Sequence, residues 1–145
     1  MATTYDRAVR FEEVDAAGIL FFARYLAYCH EAMERFFDGI PGGYVDLIVR
    51  RQIGFPAVHL SSDYEAPLRY GDTARIETSV LKVGETSTTF RYVLTRLATA
   101  ERAEAVAAVV QHVCVAADLR TLTKVPLPAD CRALLEAHRA TPAPG

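Results

Sequence analysis

No apolar run in this chain is long enough to cross a bilayer. The longest, residues 105–110 and 113–117, are split by Gln111 and His112, and a spanning helix needs about 20 such residues. The N-terminal stretch MATTYDRAVRFEEVD is polar and lacks the apolar core of a secretory signal. Cysteine is scarce: Cys29, Cys114 and Cys131 are an odd number without paired spacing, which argues against a disulfide framework. These shortages predict a cytoplasmic protein without a membrane partner. A formal charge of −2 gives no electrostatic ground for binding nucleic acid. A G-x-S-x-G turn and a Gly-rich phosphate loop are also missing, which leaves serine-hydrolase and nucleotide-binding readings without support. There is no internal repeat.

What is present suits one globular domain. The 145 residues are 51% hydrophobic and 23% charged, enough to bury a single core. Residues 5–12 alternate, with Tyr5, Val9 and Phe11 on one side, which predicts a half-buried strand. A loop follows over 13–20. Over 21–37 the period becomes helical: Tyr25, Tyr28, Cys29, Ala32, Met33, Phe36 and Phe37 recur every three or four residues. Phe22 and Leu26 extend the apolar surface, so this helix is expected to be buried against more than one surface. A short helix is expected over 44–51, with Tyr44, Leu47 and Ile48 on one face.

Strands are predicted over 57–66, 73–83, 87–98 and 104–117. The valines of the last make it a long strand, central in the sheet and covered on both faces. Pro126 and Pro128 introduce a helix over 129–138, and 141–145 read as a frayed tail. The domain is set at 1–139, with 140–145 as a flexible extension. One buried helix followed by a run of strands implies an α+β domain with an antiparallel sheet. Such a sheet leaves an exposed edge, and pairing with a second copy is the usual remedy. A homodimer is expected, with further pairing into tetramers left open.

The segment from Val9 to Tyr25 is where chemistry could sit. Asp15 lies in a loop before a hydrophobic helix, followed by Ala16, Ala17 and Gly18, small residues that let a ligand approach the backbone. Free N–H groups in the first turn of a helix polarise a carbonyl oxygen and stabilise an oxyanion. An aspartate is ionised at neutral pH without tuning, and it can attack an acyl carbon or take a proton from water. The structural alternative is that Asp15 only caps the helix or shapes the loop.

Arg10-Phe11, Asp15-Ala16-Ala17-Gly18-Ile19, Phe22 and Tyr25 together resemble the signature of the 4-hydroxybenzoyl-CoA thioesterase family and its YbgC-like relatives. Tyr64-Glu65-Ala66-Pro67-Leu68-Arg69-Tyr70-Gly71-Asp72 is similar to that family's strand and Gly-Asp turn, and Val125-Pro126-Leu127-Pro128 to its closing segment. The resemblance implies a hotdog fold, an antiparallel sheet wrapped around a long central helix, with an active site at a dimer interface. It implies hydrolysis of an acyl-CoA to a free acid and coenzyme A, which enters as part of the substrate and not as a cofactor. Asp15 matches the catalytic carboxylate, as nucleophile or general base. The backbone N–H of Phe22 matches the oxyanion donor, and Gly18 would leave room for the thioester. The resemblance suggests an aromatic acyl group, with short and medium aliphatic thioesters as competitors. Where the family carries a basic cluster, this chain reads Val83-Gly84-Glu85-Thr86. Lys82 and Arg91 flank that turn as candidates for the CoA phosphates, against the plainer reading of solvated strand charges.

Two other readings stand beside this one. A hotdog hydratase or dehydratase would need His30 or His59 as its base. A non-catalytic acyl-thioester binding module would keep the fold alone. His112 and Cys114 share one face of a strand, but no third and fourth ligand accompany them, so no metal site is expected.

Overall fold

A computed structural model describes residues 2–140; the predicted tail at 141–145 lies outside the described residues. In chain order the elements are β1 (Thr3–Ala8), α1 (Arg24–Phe36), the single turn α2 (Gly43–Val45), β2 (Ile53–Gly54), β3 (Ala57–Tyr64), β4 (Thr73–Val83), β5 (Ser87–Arg96), β6 (Ala105–Val115), β7 (Ala117–Asp118), β8 (Thr123–Lys124) and α3 (Ala129–Ala137). The main sheet runs β1-β4-β5-β6-β3 with every neighbouring pair antiparallel. A small second sheet runs β2-β7-β8.

Alternation decides which face of the sheet is covered. Ala74, Ile76 and Val80 of β4, Phe90, Tyr92 and Leu94 of β5, and Ala108, Val110 and Cys114 of β6 are buried together with Tyr28, Cys29, Ala32, Met33 and Phe36 of α1. Phe36 meets Phe90 edge-on at 5.4 Å, and Phe37 stacks on Phe55 at 5.2 Å. Each large side chain buried in this way contributes about 1.5–3 kcal/mol. The sheet therefore wraps the long helix, which is the hotdog arrangement and an α+β fold.

Several boundaries differ from expectation. The first strand stops at Ala8 and not at residue 12, because Phe11–Glu13 form a 3-10 turn whose Glu13 carboxylate accepts the Arg10 N–H at 2.9 Å. That turn leaves Phe11 77% exposed, so it does not share a buried face with Val9. Helix α1 begins at Arg24 and not at 21. The Leu20 N–H is already donated to Leu68 O and the Phe21 N–H to Glu13 O, which holds both residues in an extended ladder. The short helix is one α-turn that runs into a π-helix over Asp46–Arg50.

Strand β6 is interior but not central. β5 holds the middle, and Gln111 on the outer face of β6 is exposed. The edge strand β3 is open along almost its whole length. The described residues stay docked as far as Ala140, whose N–H donates to Val80 O at 2.7 Å. The Gly-Asp turn is architectural. Gly71 takes φ +97°, and the buried Asp72 carboxylate accepts the Arg69 N–H at 2.8 Å and pairs with Arg102. No helix among the described residues is long and apolar enough to cross a membrane. All three cysteines are free and buried.

Candidate active site

Asp15 sits at the tip of a small hairpin. Val14 bridges Leu20 antiparallel, the Asp15 N–H donates to Ile19 O at 2.9 Å, and the Gly18 N–H donates to Asp15 O at 2.9 Å. Gly18 closes this turn at φ +81°, a left-handed conformation that costs glycine little and other residues more. A Cβ there would meet nothing within 4 Å, so it is the backbone angle that requires glycine, in addition to any room it leaves for a ligand. One carboxylate oxygen of Asp15, Oδ1, accepts the Ala17 N–H at 2.8 Å. The loop-shaping role and an accessible carboxylate thus coexist, because residues 15–18 are exposed and Oδ1 alone is committed to the turn.

The other end of the same ladder leads into α1. The Arg24 N–H donates to Phe21 O at 2.8 Å and the Tyr25 N–H to Phe22 O at 3.4 Å. The N–H groups of Phe22 and Ala23 have no acceptor among the described residues, and no side chain caps the helix. These amides carry the positive end of the helix dipole. A cavity of about 420 Å³ lies beside them, lined by Ile19, Leu20, Phe22, Tyr25, Tyr64 and Pro67 among others. The Tyr64 hydroxyl donates to Phe22 O at 3.1 Å. A second cavity of about 160 Å³ lies further along α1, lined by Leu26, Cys29, His30, Ala57, Leu60, Tyr92 and His112. Asp15 lines neither cavity; its exposed carboxylate lies in the hairpin whose other strand supplies Ile19 and Leu20 to the lining of the first.

A buried charge cluster holds this geometry. Glu13 accepts from Arg7 at 2.7 and 3.1 Å and from the Tyr28 hydroxyl at 2.7 Å. Arg7 also reaches Glu31 at 2.9 Å, and its guanidinium lies 4.5 Å above the Tyr28 ring. Burial pushes the Glu13 carboxyl up, but Tyr28, the Arg10 N–H and Arg7 outweigh it and hold the group below the usual carboxylate range. Residues preceding the Asp15 hairpin are thereby fastened to α1. Sequence reasoning missed these positioning residues. The available signal was Arg7 recurring on the same side of the strand as Tyr5.

Other candidates fall elsewhere. Lys82 pairs with Thr89, and Arg91 lies between Ser79 and Gln111. Both are on the outer face of the sheet, turned away from α1 and from the Phe22 amide. His59 pairs with Val113 on that same outer face and is exposed. His30 is on α1, 3.2 Å from Glu34. Cys114 directs its thiol to Thr88 O, and burial pushes it up to about 12. Among the described residues no three His, Cys, Asp or Glu side chains are grouped to hold a metal.

The profile of the thioesterase-like superfamily matches residues 9–135. A 1,4-dihydroxy-2-naphthoyl-CoA hydrolase of Nostoc punctiforme is 33% identical over 126 residues, covering 87% of this chain and 82% of the relative. The crystal structure of the 1,4-dihydroxy-2-naphthoyl-CoA thioesterase from Synechocystis superimposes with a TM-score of 0.81 at 25% identity, over 93% of this chain and 96% of the other. The 4-hydroxybenzoyl-CoA thioesterase from Pseudomonas sp. strain CBS-3 gives a TM-score of 0.82 at 25% identity, over 92% and 98% of the two chains.

Proposed function

Because the chain belongs to the thioesterase-like superfamily, we propose that it hydrolyses an aromatic acyl-CoA to the free acid and coenzyme A. Its reaction class is thioester hydrolysis. The observation that carries the site assignment is the free Phe22 N–H at the head of α1, beside an apolar-walled cavity and on the same ladder as Asp15. The thioester carbonyl would rest on the Phe22 amide, where charge developing on oxygen meets a fixed donor. Asp15 would then attack the carbonyl carbon or take a proton from the attacking water. The C–S bond breaks and the thiolate leaves as coenzyme A, taking up the proton that Asp15 drew from water in the base route or a proton from solvent in the nucleophile route, where a second water then hydrolyses the aspartyl–acyl anhydride to the free acid. Gly18 keeps the turn that presents the carboxylate. No separate cofactor is invoked.

The aromatic acyl group is supported by the apolar lining and by the dihydroxynaphthoyl and hydroxybenzoyl substrates named for the relatives. A homodimer joined along β3 is part of the reading. Val58, Leu60 and Tyr64 are 59%, 44% and 47% exposed on that edge, and Phe22 is 64% exposed beside it, a surface that a second copy would cover. Lys82 and Arg91 could touch the nucleotide only where another copy presents its site to this chain's outer face. A cytoplasmic setting suits the three buried thiols, each pushed up to about 12 by burial.

Release of free thiol from a panel of aromatic and aliphatic acyl-CoAs tests the proposal. Fastest turnover is expected with hydroxyaryl-CoAs. A panel that yields no thiol from any member sinks the enzyme reading.

A further inference from the structure

The two cavities have α1 and β3 as common walls: Tyr25 and Tyr64 line the first, Leu26, His30 and Leu60 the second. Leu26 and His30 are four residues apart in α1, so they follow one row along the helix, about 6 Å apart for a rise of 1.5 Å per residue, and Phe22 lies just before the first turn of that helix. The opposite wall comes from the inner face of β3, where Tyr64 stands opposite Ala108 and Leu60 opposite His112. Tyr64 and Phe22 border the first cavity; Leu60, Leu26, His30 and His112 border the second. An acyl group held by its carbonyl at Phe22 would extend towards His112.

His112 is prepared for one kind of contact. Its Nδ1 lies 3.2 Å from the hydroxyl of the fully buried Tyr92. The Tyr92 hydroxyl has no other acceptor among the described residues, and an O–H donated to Nδ1 satisfies it; that pairing requires the tautomer with the ring proton on Nε2. Burial and the neighbouring His30 hold the imidazole below its ordinary range, in keeping with a neutral ring of fixed tautomer. The remaining walls near it are apolar, apart from His30, which is paired with Glu34 at 3.2 Å.

We propose that His112, oriented by Tyr92, is a specificity-determining residue that donates its Nε2–H to an oxygen at the far end of the acyl group. The substrate class this selects is an aryl-CoA carrying a ring hydroxyl or phenolate distal to the thioester. Tyr92 acts through His112 and is a positioning residue. The inference rests on the thioesterase reading above, and it adds the pair of residues that read the ring substituent.

The test compares kcat/KM for 4-hydroxybenzoyl-CoA and benzoyl-CoA in the parent protein, His112→Phe and Tyr92→Phe. The parent is expected to favour the hydroxylated substrate by tenfold or more. In both variants that ratio should shrink about tenfold, mainly through KM, because the contact is remote from the reacting carbon. A merely structural role would slow both substrates together and leave the ratio intact. That outcome, or a parent with no preference for the hydroxyl, overturns the proposal. Tyr92→Phe keeps the buried ring, so it carries the test if His112→Phe does not fold. Absence of thiol release from every acyl-CoA by the folded parent would instead sink the thioesterase reading itself.

Discussion

The Tyr64 hydroxyl donates to the carbonyl of Phe22 across 3.1 Å, and the Tyr64 ring meets Tyr25 edge-on at 4.9 Å. Edge strand β3 is thereby tied to the first turn of α1, where the free amides point out. Tyr64→Phe keeps the ring contact and deletes the bond. Stability should fall by no more than about 1 kcal/mol, the usual net worth of such a bond. Turnover should fall several-fold, since the amide of Phe22 loses its lateral restraint. Thermal unfolding and thiol-release kinetics read the two effects separately.

Asp15→Asn isolates charge from shape. Asparagine retains an oxygen for the Ala17 N–H, so the turn and the melting temperature should stay near the parent's. Turnover on the best acyl-CoA should drop at least about a hundredfold, the low end of what a positioned acid–base group supplies. Hydrolysis at the parent rate would show that this carboxylate only shapes its loop.

Glu13 should matter for acid stability. Its folded-state carboxyl is held below the range of the unfolded chain, so the cluster contributes fully above the unfolded value of about 4.3 and is lost as pH falls through the folded one. Glu13→Gln leaves Arg7 buried without this partner and should cost on the order of 3 kcal/mol near neutral pH. It should also flatten the fall in stability between about pH 5 and 3. Denaturant titrations across that pH range check both expectations.

Much of the sheet was legible from the residues alone. β4 takes the predicted bounds because Ala74, Ile76 and Val80 alternate with the polar Arg75, Glu77 and Ser79, and the face of α1 followed from its three-and-four spacing. What escaped depends on bonds that apolar periodicity does not encode. The alternation of Val9 and Phe11 looked like a continuing strand, yet a side chain, Glu13, turned the backbone at Arg10. The two-residue strands β2, β7 and β8 are too short to show a period. Simple alternation would put Val58 on the face of Leu60 and Tyr64, but a bulge between Ala57 and His59 shifts the register there, and of the three only Leu60 and Tyr64 line the cavities between β3 and α1. Asp15 stood out because its loop is polar and small. The Phe22 amide depends on where the helix begins, three residues later than its pattern suggested.

The open edge can be blocked. Val58→Lys places a charge on the exposed rim of β3, a device that natural edge strands use against pairing. Light scattering should then report a monomer where the parent gives a dimer. Thiol release should fall with it if the second copy completes the site. A parent that is already monomeric and fully active would remove the dimer from the mechanism.

The two borders of the main sheet are chemically unlike. On β1 the exposed residues are Thr4, Asp6 and Ala8, with Asp6 bonded to Arg75 at 2.8 Å, whereas β3 adds the large apolar groups of Val58, Leu60 and Tyr64 to its exposed His59, Ser61 and Asp63. Joining through β3, as proposed, would cover the more apolar border of both molecules and leave the β1 rims outward. Growth by that route would terminate after a single union, and the proposed pairing would then be a guard against fibre formation.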